Sequence, residues 1–277
     1  MSRQPWRTAL SLFTAIPVGD EAQLGRDDAA RAVRWLPAVG LLLGGAGAGV
    51  LIAAGSVPAS AAAAGAAGAG ASSAPDLRRL LAAALAVAAI ALLTGGLHLD
   101  GLADTADGLG SRRPAAEALD IMRRSDIGPM GVAALVLMLL IQVTALAAIP
   151  RLPLAGAALV LAEVTGRVSV VIATASPAAR PGGFGALVAG GTTAGQRAAS
   201  VALLGCGVAA AGLAAGGGAL AERGLAVTLA GLLAGYLLQR TARRRLGGMT
   251  GDVFGAIIQL GATTVLVAAA LASQPAG

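Results

Sequence analysis

The sequence predicts an all-α, polytopic integral membrane protein, a helical bundle with about six or seven transmembrane helices and its active site at the cytoplasmic face. Two observations of composition lead to this fold class. Hydrophobic residues make up 56% of the 277 residues and charged residues only 12%, whereas about a quarter of an average soluble domain is charged. The apolar residues also recur in stretches of about 20, the length that crosses a hydrocarbon core as a helix. A third observation, the placement of the arginines, sets the orientation.

The first 35 residues are predicted to form an interfacial or re-entrant segment. Their apolar patch, residues 9–18, has the length of a signal-peptide core, but a proline and two acidic residues lie where a small-residue cleavage site would be needed. Trp6, Phe13 and Trp35 are aromatic residues of the kind that anchor a protein at the headgroup level. We therefore place residues 1–35 at the membrane surface, with the first span after them.

Seven apolar stretches follow within what we interpret as one domain, residues 1–277. They are residues 36–52, 80–97, 132–149, 154–175, 201–220, 225–238 and 253–271. Their apolar bulk is Ala, Leu, Val and Gly, which suits close packing of helices in lipid. The segment 56–76, between the first two stretches, is rich in Ala, Gly and Ser and is predicted to be a loop on the far side of the membrane.

The basic residues give the orientation, because all 20 of them are arginine and they cluster on alternate connections. With the N-terminus inside, 15 arginines fall on the inner side and four on the outer side, so the positive-inside rule makes the inner side cytoplasmic. The net charge of +6 follows from this bias, and since no basic stretch is interleaved with aromatic residues, nucleic acid is not a predicted partner. Cys206 is the only cysteine, which excludes an intrachain disulfide and a cysteine-rich metal site.

The informative chemistry begins with a row of acidic residues at the inner end of the second stretch. Asp100, Asp104 and Asp107 are spaced by four and three, which places their carboxylates on one face of a helix. Three like charges at a membrane boundary repel one another and are costly to desolvate, a conflict that a divalent cation with oxygen ligands resolves. We predict that these residues bind Mg²⁺ together with substrate phosphates. His98, the only histidine, is predicted to contact the substrate or to support the acids.

The acidic row continues into a basic segment, and together they form a predicted cytoplasmic element, residues 98–128. Residues 111–126 are predicted to be an amphipathic helix with Pro114 in its first turn. Arg123 and Arg124 offer planar guanidinium groups to phosphates. A basic interfacial helix held by anionic lipid is the alternative interpretation of the same segment.

Two further charged sites lie elsewhere in the chain. Glu163 and Arg167 are four apart inside the fourth stretch, so they are predicted to pair across one helical turn. Asp252 follows an arginine cluster and a glycine turn on the inner side, and it is a candidate for metal or substrate binding. Carboxylates for a cation and arginines for anions, gathered on one face, are the parts that a metal-dependent phosphoryl or phosphodiester transfer needs.

Several ordered blocks of the sequence resemble the cobalamin synthases, a family also called adenosylcobinamide-GDP ribazoletransferases. The most specific block is HLDGLADTADG at residues 98–108. The other blocks are residues 12–17, 36–44, 121–128, 166–167 and 248–261. The chain departs from the family pattern at Gln259 and Ala262, where acidic residues are common. We therefore assign no ligand role to this part of the last stretch.

The resemblance implies the joining step of nucleotide-loop assembly in vitamin B12 biosynthesis, in the inner membrane of a bacterium. A hydroxyl of α-ribazole, or of its 5'-phosphate, would attack the phosphorus beside the aminopropanol linker of adenosylcobinamide-GDP and release GMP, with Mg²⁺ required. Asp100, Asp104 and Asp107 would bind the metal and the pyrophosphate, and one of them or Asp126 would be the base. The implied phosphate contacts are Arg123, Arg124 and Arg167. Both a homo-oligomer and an association with other cobalamin-assembly enzymes are compatible with the sequence.

Two other functions are weighed against this one. Residues 104–112 partly resemble the opening of the CDP-alcohol phosphotransferase motif, but Ser111 stands where that motif has Ala, and the second half of the motif is absent. A cation-coupled transporter could use the acidic row as an ion site. Such a site belongs near the bilayer midplane between broken helices, whereas these acids are predicted at one interface.

Overall fold

The computed structural model describes residues 4–18, 25–56 and 77–274 of the chain. These residues form twelve α-helices, with no strand among them beyond one isolated bridge between Ala178 and Met249. The helices are α1 (Pro5–Phe13), α2 (Arg26–Val33), α3 (Leu36–Gly55), α4 (Leu77–Leu93), α5 (Leu97–Gly110), α6 (Ala115–Ile121), α7 (Pro129–Ala148), α8 (Leu152–Ala173), α9 (Gly183–Val188), α10 (Ala194–Gly216), α11 (Gly218–Arg245) and α12 (Gly251–Ala272). The loop predicted at 56–76 lies outside the described residues except for its first residue.

Six of these helices are each long and apolar enough to cross a membrane, namely α3, α7, α8, α10, α11 and α12. Helices α4 and α5 meet the same criteria only as a pair. The chain bends by 90° between them, so the number of spans is seven if this pair counts as one broken span. The prediction of an all-α bundle with about six or seven spans is confirmed.

The second predicted span, residues 80–97, does not run into the acidic row as one straight helix. Helix α4 ends at Leu93, and Gly95 and Gly96 then adopt φ angles of 60° and 74°, in the left-handed region that glycine enters without a steric cost. Helix α5 begins directly after these glycines, at right angles to α4. The acidic row is therefore carried by a short helix of its own.

The boundary between the fifth and sixth predicted spans is also different in the structure. The predicted spans end at residue 220 and resume at residue 225, whereas the chain turns within the glycine run 216–218, at Gly217, which has a φ of 76°. Helix α11 starts at once and runs for 28 residues to Arg245. At 1.5 Å per residue it is about 42 Å long, which exceeds the hydrocarbon core of about 30 Å, so its arginine-rich last turn reaches beyond the apolar layer.

One end of the bundle gathers α5 and the first turns of two spans, and we call this end the acidic face. Gly101 of α5 packs against the backbone of Asp252 at the start of α12, and Asp107 of α5 contacts Gly131 at the start of α7. At the opposite end, Arg79 ties the start of α4 to the turn between α7 and α8. Helix α4 thus runs from one end to the other, and α5, which is not one of the six single-helix spans, lies at the acidic face at right angles to α4.

Candidate active site

A cavity of about 780 Å³ opens at the acidic face beside α5. One wall comes from α1 and the residues after it, and another comes from the loop that follows α6. The polar side chains in its lining are Ser11, Thr14, Thr94, Asp100, Asp104, Arg124, Ser125 and Asp126. Leu12, Leu97, Ile127 and Leu135 supply apolar surface. Clefts of about 300–1,000 Å³ that combine apolar walls with a few convergent polar groups are typical of ligand-binding sites.

The α1 wall of the cavity is held by the three phenylalanines of the chain. Phe13 packs edge-to-face on Phe184 of α9 with ring centroids 5.4 Å apart, and Phe184 does the same with Phe254 of α12 at 6.3 Å. The backbone N–H of Ala15 also donates to the carbonyl of Leu93 at 2.7 Å, where α4 ends. Residues 13–15 are therefore fixed against the acidic face, and the interfacial or re-entrant position of residues 1–35 stays a prediction.

The acidic row is placed by helix α5. Asp100 and Asp104 are one turn apart, and both line the cavity. Partial burial, together with the charges of Asp100, Asp252 and Asp107, raises the pKa of Asp104 to about 6. Four carboxylates therefore lie near enough to repel one another: the three whose spacing in the sequence predicts such a conflict, and that of Asp252.

This donor set suits a divalent cation whose coordination is completed by substrate and water. Among the described residues, no group of three or more His, Cys, Asp and Glu side chains is arranged to hold a metal ion by itself. Asp100 and Asp104 nevertheless present two carboxylates to one cavity, and Mg²⁺ is commonly bound by one or two carboxylates plus substrate phosphates. Mg²⁺ binding stays a prediction, and the chemistry of the cavity is compatible with it.

Asp107 has hydrogen-bond partners that its spacing in the sequence does not predict. Its carboxylate accepts hydrogen bonds from the backbone N–H groups of Gly128, at 2.7 Å, and Gly131, at 2.8 Å. Both oxygens are thus engaged at the N-terminus of α7, where a negative charge is favoured by the unpaired N–H groups and the helix dipole. Asp107 does not line the cavity, and its predicted role as a metal ligand and catalytic residue stays a prediction.

His98 of α5 and Arg167 of α8 are buried inside the bundle and do not line the cavity. His98 is 3% exposed and Arg167 is fully buried. Arg167 donates to the carboxylate of Glu163 and, at 3.0 Å, to its carbonyl, which confirms the predicted pair. Burial and the nearby Arg167 lower the pKa of His98 to about 3, so its imidazole is neutral at pH 7. The substrate contacts predicted for these two residues stay predictions.

The basic segment after α5 is less helical than predicted. In place of a helix over residues 111–126, α6 spans only Ala115–Ile121, and the chain then leaves the helix. The next buried side chain, Met122, packs on Gly108, whereas residues 123–126 are polar and exposed and provide no apolar face to continue the helix. Because the helix ends early, Arg124 and Asp126 are brought to the cavity.

Arg123, by contrast, is not part of this lining. It lies 3.7 Å from Asp120, and the side chains of both residues are more than half exposed. Such an exposed pair contributes little to stability. The phosphate contact predicted for Arg123 stays a prediction, and Arg124 is the arginine that this loop presents to the cavity.

Asp252 stands at the start of α12, where Thr250 caps the helix. The Thr250 hydroxyl accepts from the N–H of Val253 at 3.2 Å and donates to the Asp252 carboxylate at 3.1 Å. Arg180, from the loop after α8, lies 3.9 Å from the same carboxylate. In the sequence, Arg180 is one of the 15 arginines predicted on the inner side, and its only further signal is the Pro-Gly-Gly turn that follows it.

Comparison with known proteins decides the family. A family model described as cobalamin-5-phosphate synthase matches residues 5–270. This chain belongs to that family. A relative from Frankia casuarinae, named adenosylcobinamide-GDP ribazoletransferase, is 38% identical over 276 residues, which cover 96% of this chain and 94% of the relative. Relatives of the same name from Bradyrhizobium diazoefficiens and Stutzerimonas stutzeri are 39% identical (95% and 92% covered) and 36% identical (96% and 98% covered). No solved structure matches the chain.

Membership of the cobalamin-5-phosphate synthase family confirms the resemblance that the sequence blocks indicate. The match extends over nearly the whole chain, so it includes the acidic row, the basic loop and the start of α12. The CDP-alcohol phosphotransferase and transporter alternatives are not favoured. The position of the acids agrees with this result, because Asp100 and Asp104 border a cavity at one end of the bundle and not at its middle.

Proposed function

We propose that the protein transfers α-ribazole, or its 5'-phosphate, onto adenosylcobinamide-GDP and releases GMP. Its family makes it an adenosylcobinamide-GDP ribazoletransferase, an enzyme of cobalamin nucleotide-loop assembly. The observation that best supports the chemistry is a single cavity that presents Asp100 and Asp104 together with Arg124. Carboxylates and an arginine around one pocket suit a substrate with a charged diphosphate.

The proposed reaction exchanges one oxygen on phosphorus for another. The hydroxyl oxygen of the ribazole forms a bond to the phosphorus beside the aminopropanol linker, and the bond from that phosphorus to the oxygen carried away by GMP breaks. The hydroxyl proton passes to a carboxylate, for which the acids of the cavity, Asp100, Asp104 and Asp126, are candidates. In this proposal Arg124, which lines the cavity, binds a phosphate of the departing nucleotide.

Asp100 and Asp104 are the residues that would hold Mg²⁺. When bound, the ion would offset the negative charge of the phosphate oxygens. The chain's own contribution would be to concentrate carboxylates on one wall, since α5 places two of them one turn apart at the cavity. The apolar side chains of the α1 wall would exclude water from the reacting phosphorus.

We further propose that the acidic face is cytoplasmic, in the inner membrane of a bacterium. The arginine-rich end of α11 and the basic loop after α6 both belong to this side of the protein, as the positive-inside rule requires. A reporter fused after Ser111 is expected to give an inside signal, and one inserted in the segment 56–76 an outside signal. Reversed signals would contradict this orientation.

The direct test of the function is GMP release by the purified protein in nanodiscs. With adenosylcobinamide-GDP, α-ribazole and Mg²⁺ we expect GMP to form in equal amount to the joined product, and we expect chelation of the metal to stop it. CDP-activated alcohols in place of adenosylcobinamide-GDP are expected to give no CMP. A folded, Mg²⁺-supplied protein that releases no GMP would refute the proposed function.

A further inference from the structure

Arg180 lies beside the acidic row although it comes from a distant part of the chain. It belongs to the connection between α8 and α10. One of its guanidinium nitrogens donates to the carbonyl of Leu119 in α6 at 3.3 Å, and another lies 3.9 Å from the carboxylate of Asp252. The backbone of Asp252 in turn packs directly on Gly101, between the two acids of α5 that line the cavity. Arg180 therefore borders the acidic row from the α12 side.

The backbone that carries Arg180 is held in a fixed register with the turn before α12. Met249 donates its N–H to the carbonyl of Pro177, and Ala179 donates to the carbonyl of Met249, both at 2.9 Å. These bonds form the parallel bridge of the fold. A Cβ on Gly248 would lie 2.4 Å from the carbonyl oxygen of Pro177, so the two segments are in close contact. The bridge ends one residue before Arg180 and leads within three residues to Asp252.

The contact between Arg180 and Asp252 is nevertheless a loose one. Charge-assisted hydrogen bonds between an arginine and a carboxylate are about 2.7–2.9 Å long, whereas this pair is 3.9 Å apart. The Asp252 carboxylate also accepts the Thr250 hydroxyl. Both side chains of the pair remain about a quarter exposed. The guanidinium is thus positioned by its backbone and by Leu119 but retains donors for a second oxyanion, and its planar fork matches a phosphate.

We propose that Arg180 is a substrate-binding residue that contacts a phosphate of the guanosine nucleotide. This inference rests on the proposed transfer from adenosylcobinamide-GDP. In it, Arg180 exchanges its distant carboxylate for a phosphate oxygen at direct hydrogen-bond distance, and Arg124 binds the diphosphate from the cavity lining. Arg180 then recognises both the diphosphate of the substrate and the phosphate of the product GMP.

The test measures GMP binding to the full-length protein in detergent by equilibrium dialysis, with and without Mg²⁺. We expect Arg180→Gln to weaken GMP binding by about 10- to 100-fold, the loss of a charge-assisted hydrogen bond to phosphate. Arg180→Lys keeps the positive charge but not the planar fork, and its affinity for GMP is expected to lie between those of the wild type and Arg180→Gln. Arg244→Gln removes the same charge from an exposed position in the last turn of α11 and is expected to bind GMP like the wild type.

Steady-state kinetics separate this role from a structural one. Arg180→Gln is expected to raise KM for adenosylcobinamide-GDP and to leave KM for α-ribazole unchanged, with the thermal midpoint of the protein close to that of the wild type. Unchanged GMP affinity in Arg180→Gln would overturn the proposal. A lower thermal midpoint with equal losses for both substrates and no recovery in Arg180→Lys would also overturn it. If the wild type itself neither binds nor releases GMP, the proposed function fails first, and the two failures are thereby distinguished.

Discussion

The Asp104→Asn variant is expected to lose GMP release by about 10²-fold or more while it keeps the fold of the wild type. Asp104 lines the cavity one turn from Asp100, and burial together with the surrounding acids raises the pKa of its carboxylate. The substitution keeps the shape of the side chain and removes its charge. Metal binding, proton acceptance and charge balance at the substrate phosphates all depend on that charge.

The pH dependence of stability gives this variant an internal control. Because the pKa of Asp104 is raised to about 6 in the folded protein, the folded state holds this proton more tightly than the unfolded chain does. Ionisation of Asp104 therefore costs stability as the pH rises through this range, and the full cost is present above pH 6. In metal-free buffer, Asp104→Asn is expected to be at least as stable as the wild type at neutral pH. The difference should vanish at about pH 4, near the ordinary pKa of aspartate.

The matched control is Asp27→Asn, the same chemical change at an exposed position of α2. We expect it to keep wild-type turnover and wild-type unfolding midpoints in thermal scans. If Asp104→Asn turned over GMP at the rate of Asp27→Asn, the carboxylate of Asp104 would be dispensable, and the acidic row would have a structural purpose only.

The features that can be predicted from the sequence are those that depend on residues close together in the chain. A spacing of four is a property of one helix, so it places Asp100 and Asp104 on a common face regardless of the surrounding fold, and both do line the cavity. The pairing of Glu163 with Arg167 is predictable for the same reason, since it requires only one helical turn in an apolar segment. Span length and arginine bias likewise follow from composition along the chain.

The features that sequence reasoning missed depend on which segments meet in space. Asp107 has the same helical spacing as Asp100 and Asp104. The start of α7, however, packs on α5 beside Asp107, and two of its backbone N–H groups donate to the two carboxylate oxygens. Arg180 reaches Asp252 because a backbone bridge joins two glycine-rich turns that the chain order keeps apart. Neither contact leaves a periodic signal. The right-angled turn at Gly95 and Gly96 is an intermediate case, because the glycines are visible in the sequence but their φ angles are not.

Asp104 and Asp107 are expected to behave differently on substitution, because Asp104 lines the cavity whereas Asp107 bonds the start of α7. Asp107→Ala removes two partly buried hydrogen bonds between a carboxylate and backbone N–H groups, so we expect it to lower the free energy of unfolding by about 2–4 kcal/mol. Asp107→Asn retains one acceptor oxygen and is expected to lose less. Both variants should loosen the loop that carries Arg124 and Asp126, and their KM for adenosylcobinamide-GDP is expected to rise with the loss of stability.

Unfolding of detergent-held protein by heat or denaturant measures this effect, with Asp120→Ala as the matched control. Asp120 is an exposed residue of α6 whose nearest arginine is 3.7 Å away, so its replacement is expected to change stability by no more than about 0.5 kcal/mol. An Asp107→Ala protein as stable as this control, yet without turnover, would contradict the capping role and support the metal-binding role that the sequence predicts. If Asp107→Ala is less stable and activity recovers in Asp107→Asn, Asp107 has a structural role that differs from the substrate-facing role of Asp104. The acidic row would then consist of two residues that face the substrate and one that fixes the loop above them.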